Sequence, residues 1–255
     1  SWTTSIWAAR STERMNRILF GPEELQADGT VVLSDGRAKH IVEVLGAAPG
    51  RTVKTGFVDG LAGTSRVLEV SGDRVCLLPE HTQPAPDPWF DLILAAPRPK
   101  VLKRLWPQLA ALGVGRVVVV NAFKVEKCYF SSQWLEPEHI RPLLLEGLTQ
   151  AGLTRLPEIL MRPRFKPFVE DELDLLFSGS LRLLAHPGPR LAGAEPPDRL
   201  QRPLLAVGPE GGWTDYELRM LQARGFRPFS LGERTLRTDT ACVALIAVLA
   251  HLMEK

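Results

Sequence analysis

An α/β fold preceded by a smaller strand-rich domain is what this sequence predicts, and three observations carry that prediction. From Asp91 onward, short apolar runs alternate with helical stretches, the spacing that builds a mainly parallel sheet covered by helices. Ahead of it, residues 15–80 hold short β-rich runs separated by turn residues. Between the two, His81 to Pro88 (HTQPAPDP) is polar and Pro-rich and reads as a linker. A chain of 255 residues can bury the cores of two such domains without disulfide or metal staples.

Residues 1–14 show no clear period and read as an upstream extension or an expression-derived tail, with Met15-Asn16-Arg17-Ile18 as a natural start. In the first domain, residues 15–86, strands are expected at Thr30–Leu33, Thr52–Thr55, Ser65–Val70 and Arg74–Leu78. Ala48-Pro49-Gly50, Asp59-Gly60 and Ser71-Gly72-Asp73 separate them, and Gly36–Leu45 is helical in pattern. A small barrel or sandwich with one helix follows. In the second domain, residues 87–255, strands are expected at Asp91–Ala95, Arg116–Asn121, Glu158–Met161, Leu181–Ala185, Leu204–Val207 and Phe226–Leu231. Helices are expected at Lys100–Leu112, Glu136–Gln150, Pro167–Phe177, Asp215–Arg224 and Thr240–Met253, with a Pro/Gly-rich loop over Pro187–Pro203.

Composition excludes several classes. Hydrophobic residues make up 45% and charged residues 24%, so whole-chain disorder is out. Lys+Arg is 31 against Asp+Glu 29, so the chain is not broadly polybasic, although a local basic patch fits within that balance. The 3 cysteines lie far apart with no CxxC pair and no zinc spacing; no metal is expected, and a reducing compartment, the cytoplasm, is. The longest apolar run, Ala241–Leu252, contains His251 and is shorter than a membrane span, so a buried helix and no membrane partner are expected.

The most informative segment is Leu205 to Glu217, LAVGPEGGWTDYE. An apolar strand enters a Gly-rich turn and then a helix whose start is marked by Thr214 and Glu217 at capping-box spacing. Glycines at a strand end let a ligand approach the backbone, and carboxyl ends of parallel strands are where such sheets bind ligands. GPEGGW is neither a P-loop nor GxGxxG, and a purely structural turn is an equal alternative on spacing alone. The second segment, Ser230 to Ala241 (SLGERTLRTDTA), again places a glycine between a strand end and a helix start. It carries Arg234 and Arg237 near a helix amino end, where a cation does not complement the dipole. The third feature is a basic strip, Arg98, Lys100, Lys103, Arg104, Arg116, Lys124 and Lys127, with Glu126 as its only acid. It reads as a solvated face or a phosphate contact. His186 follows a strand end and could face the same ligand edge, whereas His40, His139 and His251 read as packing or surface groups.

Taken together and in order, GPEGGW and SLGERTLRTDTA closely resemble the signature of the RsmE family, SPOUT-class methyltransferases acting on uridine N3 of small-subunit (16S) ribosomal RNA. The similarity runs from Met15 to the C-terminus. It implies a SPOUT trefoil-knotted C-terminal domain, an N-terminal PUA-like β-barrel, S-adenosylmethionine as cofactor and a homodimer acting on ribosomal RNA or the small ribosomal subunit. The family's three cofactor loops match Leu184-Ala185-His186; Val207, Gly208, Gly211 and Gly212; and Leu231-Gly232 with Leu236, Arg237, Thr240 and Ala241. Arg237 is expected to stabilise charge developing on the base, and Glu210 to make a polar or basic contact near the methyl group; a backbone-capping role for Glu210 is the alternative. Arg17 matches an early RNA-contacting arginine, and Glu146, Gln150 and Thr154–Glu158 resemble a further family segment.

The chain departs from the family at Leu153, at Ala151, at Leu45-Gly46 and at Asn121-Ala122-Phe123-Lys124, where a serine/arginine element is usual. These positions lie outside the cofactor loops, so they bear on the RNA side, where Lys100, Arg104, Lys124, Lys127 and Arg155 are expected to supply positive charge. A SPOUT methyltransferase with another RNA target, a catalytically silent assembly factor and a nucleotide-binding phosphotransferase are the competing readings. The missing P-loop lysine argues against the last.

Overall fold

The computed structural model describes residues 17–188 and 201–253. The expectations for residues 1–14, for Met15-Asn16 and for most of the Pro187–Pro203 loop lie outside the described residues. The chain divides into two compact units, one holding the N-terminal part to Ala85 plus Thr149–Thr154, the other Pro86–Leu148 plus Arg155 onward.

The first unit is a five-stranded sheet of β1 (Ile18–Phe20), β2 (Val31–Leu33), β3 (Thr52–Phe57), β4 (Ala62–Ser71) and β5 (Arg74–Gln83), in the order β1-β3-β4-β5-β2. β1 runs parallel to β3, and the other pairings are antiparallel. One helical segment, α1 (Gly36–Lys39), continues as a wider π-type turn over His40–Val44 and buries Ile41 against Phe20, Leu33, Val67 and Leu77. That apolar cluster is the unit's core.

Two expectations are corrected here. The linker starting at His81 begins later, because His81–Gln83 complete β5, with His81 opposite Gly63. The His81 ring lies inward, stacked 6.1 Å from Phe20 and edge-on 5.1 Å from Phe57, with Nε2 2.7 Å from Thr55 Oγ1. Burial, then the nearby Arg17 charge, hold its pKa below the ordinary histidine value, so the ring stays neutral at neutral pH. Arg17, expected as an RNA contact, faces inward too. Its Nη1 donates to Thr55 O (2.6 Å) and Gly63 O (3.0 Å), and its Nε donates to Gly152 O (3.0 Å). The guanidinium satisfies three backbone carbonyls within this unit and fastens the Thr149–Thr154 segment to the sheet.

The second unit is a six-stranded sheet, parallel at every pairing: β6 (Phe90–Ala95), β7 (Val114–Val120), β8 (Glu158–Arg162), β9 (Leu181–Ala185), β10 (Pro203–Val207) and β11 (Arg227–Phe229). The order is β11-β9-β10-β6-β7-β8, so the chain runs outward from β6 to β8, then returns to the other side of β6. β6 and β10, the central pair, are buried at every residue, which is why they read as apolar runs; the one charge in them, Asp91, accepts from Arg116 N–H at 2.7 Å and pairs with Arg202. Its helices are α2 (Pro99–Ala111), α3 (Pro137–Ala151), α4 (Phe165–Pro167), α5 (Leu173–Leu176), α6 (Asp215–Ala223) and α7 (Thr238–Met253). The last turn of α3 is counted with the first unit. α2 buries Val101, Leu102, Leu105, Trp106 and Leu109, and the Trp106 indole N–H donates to Trp134 O at 2.9 Å. α7 buries Cys242, Leu245, Ile246, Leu249 and Met253. Burial pushes the Cys242 thiol up to about 12, so it stays protonated and unreactive. Among the described residues no helix is long and apolar enough to cross a membrane.

Arg17→Met strands three carbonyl acceptors and should lower stability by about 2–3 kcal/mol, given the strength of hydrogen bonds to a charged donor. Urea unfolding measures it, with the exposed Lys100→Met expected to stay within about 0.5 kcal/mol of the parent.

Candidate functional site

Because β9, β10 and β11 run the same way, Ala185, Val207 and Phe229 end them on one edge of the sheet. The three loops leaving that edge surround a cavity of about 340 Å³, closed on one side by Thr238, Ala241 and Leu245 of α7. Ala185 and His186 contribute from the first loop, residues 207–213 from the second, and 230–232 with 234–236 from the third.

The second loop is held by local chemistry. Thr214 caps α6, and buried Glu217 reaches back: its Oε2 accepts from the Thr214 N–H and hydroxyl, each at 2.8 Å. Its other oxygen accepts from Phe123 N–H at 2.8 Å, tying the loop after β7 to the same point. Trp213, 4% exposed, underlies the loop and packs 5.5 Å from Phe165. A side chain on Gly208 would lie 3.0–3.2 Å from Nε1, Cδ1 and Cε2 of that indole. Three near-equal distances place Gly208 on the ring face, so a side chain there would have to push the buried indole back by a few tenths of an ångström. Gly211 is covered instead by the flexible Lys124 chain, whose Nζ donates to Gly211 O at 2.9 Å. First and third loops are laced together: Ser230 Oγ lies 2.9 Å from Gly188 O, and Gly188 N–H donates to Gly232 O at 3.3 Å.

Most of the expected cofactor residues meet here. Ala185, His186, Val207, Gly208, Gly211, Gly212, Leu231, Gly232, Leu236 and Ala241 all line the cavity, as does Glu210. Leu184, Arg237 and Thr240 are not in its lining, Leu184 being buried in β9 and the other two exposed. Arg234 lines it instead, and Trp213, Phe229, Ser230, Thr238 and Leu245 join the wall. Trp213 directly follows the Gly-rich run, which was its only sequence signal. Thr238 and Leu245 are found only once α7 is seen to close the cavity. Glu210 Oε1 accepts the Arg98 N–H at 3.0 Å, so its carboxylate sits at the amino end of α2, where the helix dipole favours it.

The basic strip does not form one surface. Arg116 is the third residue of β7 and Lys124 follows the far end of that strand, so most of a strand separates them. Arg116 pairs with Glu158 (2.7 Å), Arg155 with Asp87 (3.1 Å) and Arg104 with Asp239 (2.7 Å). Lys103 Nζ stands 4.5 Å over Trp134. Lys100, Lys124 and Lys127 are exposed, and of these only Lys124 lines the cavity. Arg104 thereby clamps the first turn of α7, and its guanidinium holds the Asp239 carboxyl below the usual carboxylate range.

A family model for the RNA methyltransferase domain matches residues 84–250. Ribosomal RNA small subunit methyltransferase E of Treponema pallidum is 31% identical over 244 residues, covering 93% of this chain and 91% of that one. The protein of that name from Synechocystis is 25% identical, covering 93% and 78%. The crystal structure of the Neisseria gonorrhoeae ribosomal RNA small subunit methyltransferase E bound to S-adenosyl methionine superposes with a TM-score of 0.70 at 25% identity, covering 93% and 98%. A probable rRNA-methyltransferase from Porphyromonas gingivalis shares the fold, with a TM-score of 0.72 at 21% identity over 93% and 98%.

Gly208→Ala should destabilise the chain by about 1–3 kcal/mol through collision with a buried ring, and Gly211→Ala clearly less, because the lysine chain can yield. Melting curves of the two variants rank them. Asp239 contributes stability above its unfolded pKa of about 4, lost as pH falls through the lowered folded value. Asp239→Asn should therefore lose on the order of 0.5 kcal/mol at pH 7. That difference from the parent should shrink below about pH 4 in urea midpoints compared across pH.

Proposed function

On the premise that this chain belongs to the RNA methyltransferase family, and within it to the ribosomal RNA small subunit methyltransferase E group, we propose that it methylates N3 of a uridine in 16S ribosomal RNA. The chain is an S-adenosylmethionine-dependent ribosomal RNA methyltransferase. The observation that carries the site assignment is the cavity built by three strand-end loops at the carboxyl edge.

The residues present fit the cofactor. About 340 Å³ falls within the range of small-molecule pockets. Leu231, Leu236 and Leu245 give an apolar wall for a purine, and the Gly208 and Gly211 backbones offer polar edges. The Trp213 indole N–H is buried at the wall with no hydrogen-bond partner among the described residues, a donor available to a ligand. When bound, S-adenosylmethionine supplies a methyl group on a sulfonium, open to in-line attack by a ring nitrogen. The chain's own part is to hold the two reactants in line and to handle the N3 proton. Arg237 is the residue that stabilises the negative charge growing on the base. It lies exposed between Leu236 and Thr238, which both line the cavity. Glu210 shapes the wall from its seat on the amino end of α2 and makes a polar contact there. The target base must be unstacked to reach the cavity.

The same reading makes residues 87–255 a trefoil-knotted SPOUT domain and residues 15–86 a PUA-like RNA-binding barrel. It also gives a homodimer, with exposed Val248 (40%) and Leu252 (38%), one turn apart on α7, covered by the second copy.

Labelled methyl transfer to small ribosomal subunits lacking the uridine N3 methyl, followed by nucleoside mass spectrometry, should yield 3-methyluridine. Methyl incorporated at another atom or nucleoside refutes the N3 assignment. Arg237→Ala should lower kcat by about a hundredfold, the effect of one lost charge-stabilising donor. Its calorimetric Kd for S-adenosylmethionine should stay near that of the parent.

A further inference from the structure

Phe123 is 82% exposed, yet the turn that carries it is fixed. Ala122 and Val125, at the two ends of that turn, are buried, and Val125 N–H donates to Ala122 O at 3.0 Å. Phe123 and Lys124 are therefore the tip. The Phe123 N–H donates to Oε1 of Glu217, a carboxylate 3% exposed whose other oxygen is engaged by Thr214. Lys124, next in the chain, is fastened to Gly211 O and lines the cavity. Exposure alone decides nothing, since Leu175 is 83% exposed. What separates Phe123 is a flat aromatic face, rigid mounting through a buried carboxylate, a neighbouring ammonium and a place at the cavity's edge. Among the described residues its ring stacks on no other ring.

We propose that Phe123 is the stacking platform for an unpaired base of the RNA substrate at the mouth of the cavity. The proposal rests on the RNA methyltransferase reading and names the residue that receives the RNA beside the reacting site. Every base has a π-face, and an aromatic ring next to a cation is the pairing that single-stranded nucleic acid uses. A base taken out of its stack to reach the cavity loses its own neighbours, and a fixed ring replaces one of them. Lys124, whose ammonium is held by the Gly-rich loop, keeps the tip beside that loop.

The test compares the full-length parent with Phe123→Ala, Phe123→Leu and Phe123→Trp. Phe123→Ala and Phe123→Leu should raise KM for the ribosomal RNA substrate by about five- to a hundredfold, the span of one base–aromatic stack. Phe123→Trp should restore it, and Kd for S-adenosylmethionine should stay within about twofold throughout, the ring being outside the cavity wall. A leucine variant as good as the parent, or an alanine variant with unchanged KM, overturns the proposal. So does an alanine variant that changes the sedimenting mass, because the ring would then be an interface between copies. If the parent transfers no methyl to RNA, the functional reading fails by itself. Anisotropy of a fluorescent uridine-rich single strand then still scores Phe123: weaker binding by Phe123→Ala upholds the platform, and equal binding overturns it.

Discussion

All five pairings of the six-stranded sheet are parallel, so every strand delivers its chain to the same edge. That geometric constraint underlies the rest of the site. The sheet order reverses around β9: β9, β10 and β11 follow one another in sequence, yet β10 lies on one side of β9 and β11 on the other, so the three end side by side. Their loops have no choice but to share a space, and the space is the cavity. Open parallel sheets place ligands at such reversals for this reason.

A shared edge does not by itself give a shaped cavity, because loops are the least constrained part of a fold. Here each loop is locked by a polar group that answers a backbone need. Glu217 satisfies amides of two loops, Glu210 answers the amino end of α2, Ser230 joins the first and third loops, and Arg104 holds Asp239 at the start of α7. These bonds fix the wall before a ligand arrives, which lowers the ordering entropy that binding must overcome. Several charged groups expected to meet RNA are likewise engaged by groups of the chain itself. Arg17 is engaged by carbonyls, and Arg104, Arg116 and Arg155 by carboxylates.

Much of this was legible in the sequence, and the failures have physical causes. The long periodic helices and the buried strands appear within a few residues of their expected bounds, because burial of one face or of both imposes the pattern. β1 escaped notice although β2 and β11 are as short, because no Gly-containing turn precedes Ile18–Phe20 as Gly29 and Gly225 precede the other two. His81–Gln83 read as linker because Pro and Gln mark loops, whereas the edge of the inward His81 ring settles the matter through Phe20, Phe57 and Thr55. At the site, the glycine runs announced two of the loops. What spacing could not announce were bonds between distant residues: Arg98 with Glu210, Phe123 with Glu217, Arg104 with Asp239. Local pattern reports local structure, and these contacts exist only after the strands have been ordered.

Hydrogen–deuterium exchange of the full chain, with and without S-adenosylmethionine, tests the central claim that one cavity at the carboxyl edge holds the methyl donor. The account predicts added protection in three separate stretches, 185–188, 207–213 and 230–238, appearing together at one ligand concentration. The first unit's strands, residues 52–83, should be unchanged. Protection confined to one of the three stretches, or centred on the opposite edge where β6, β7 and β8 begin, would contradict it.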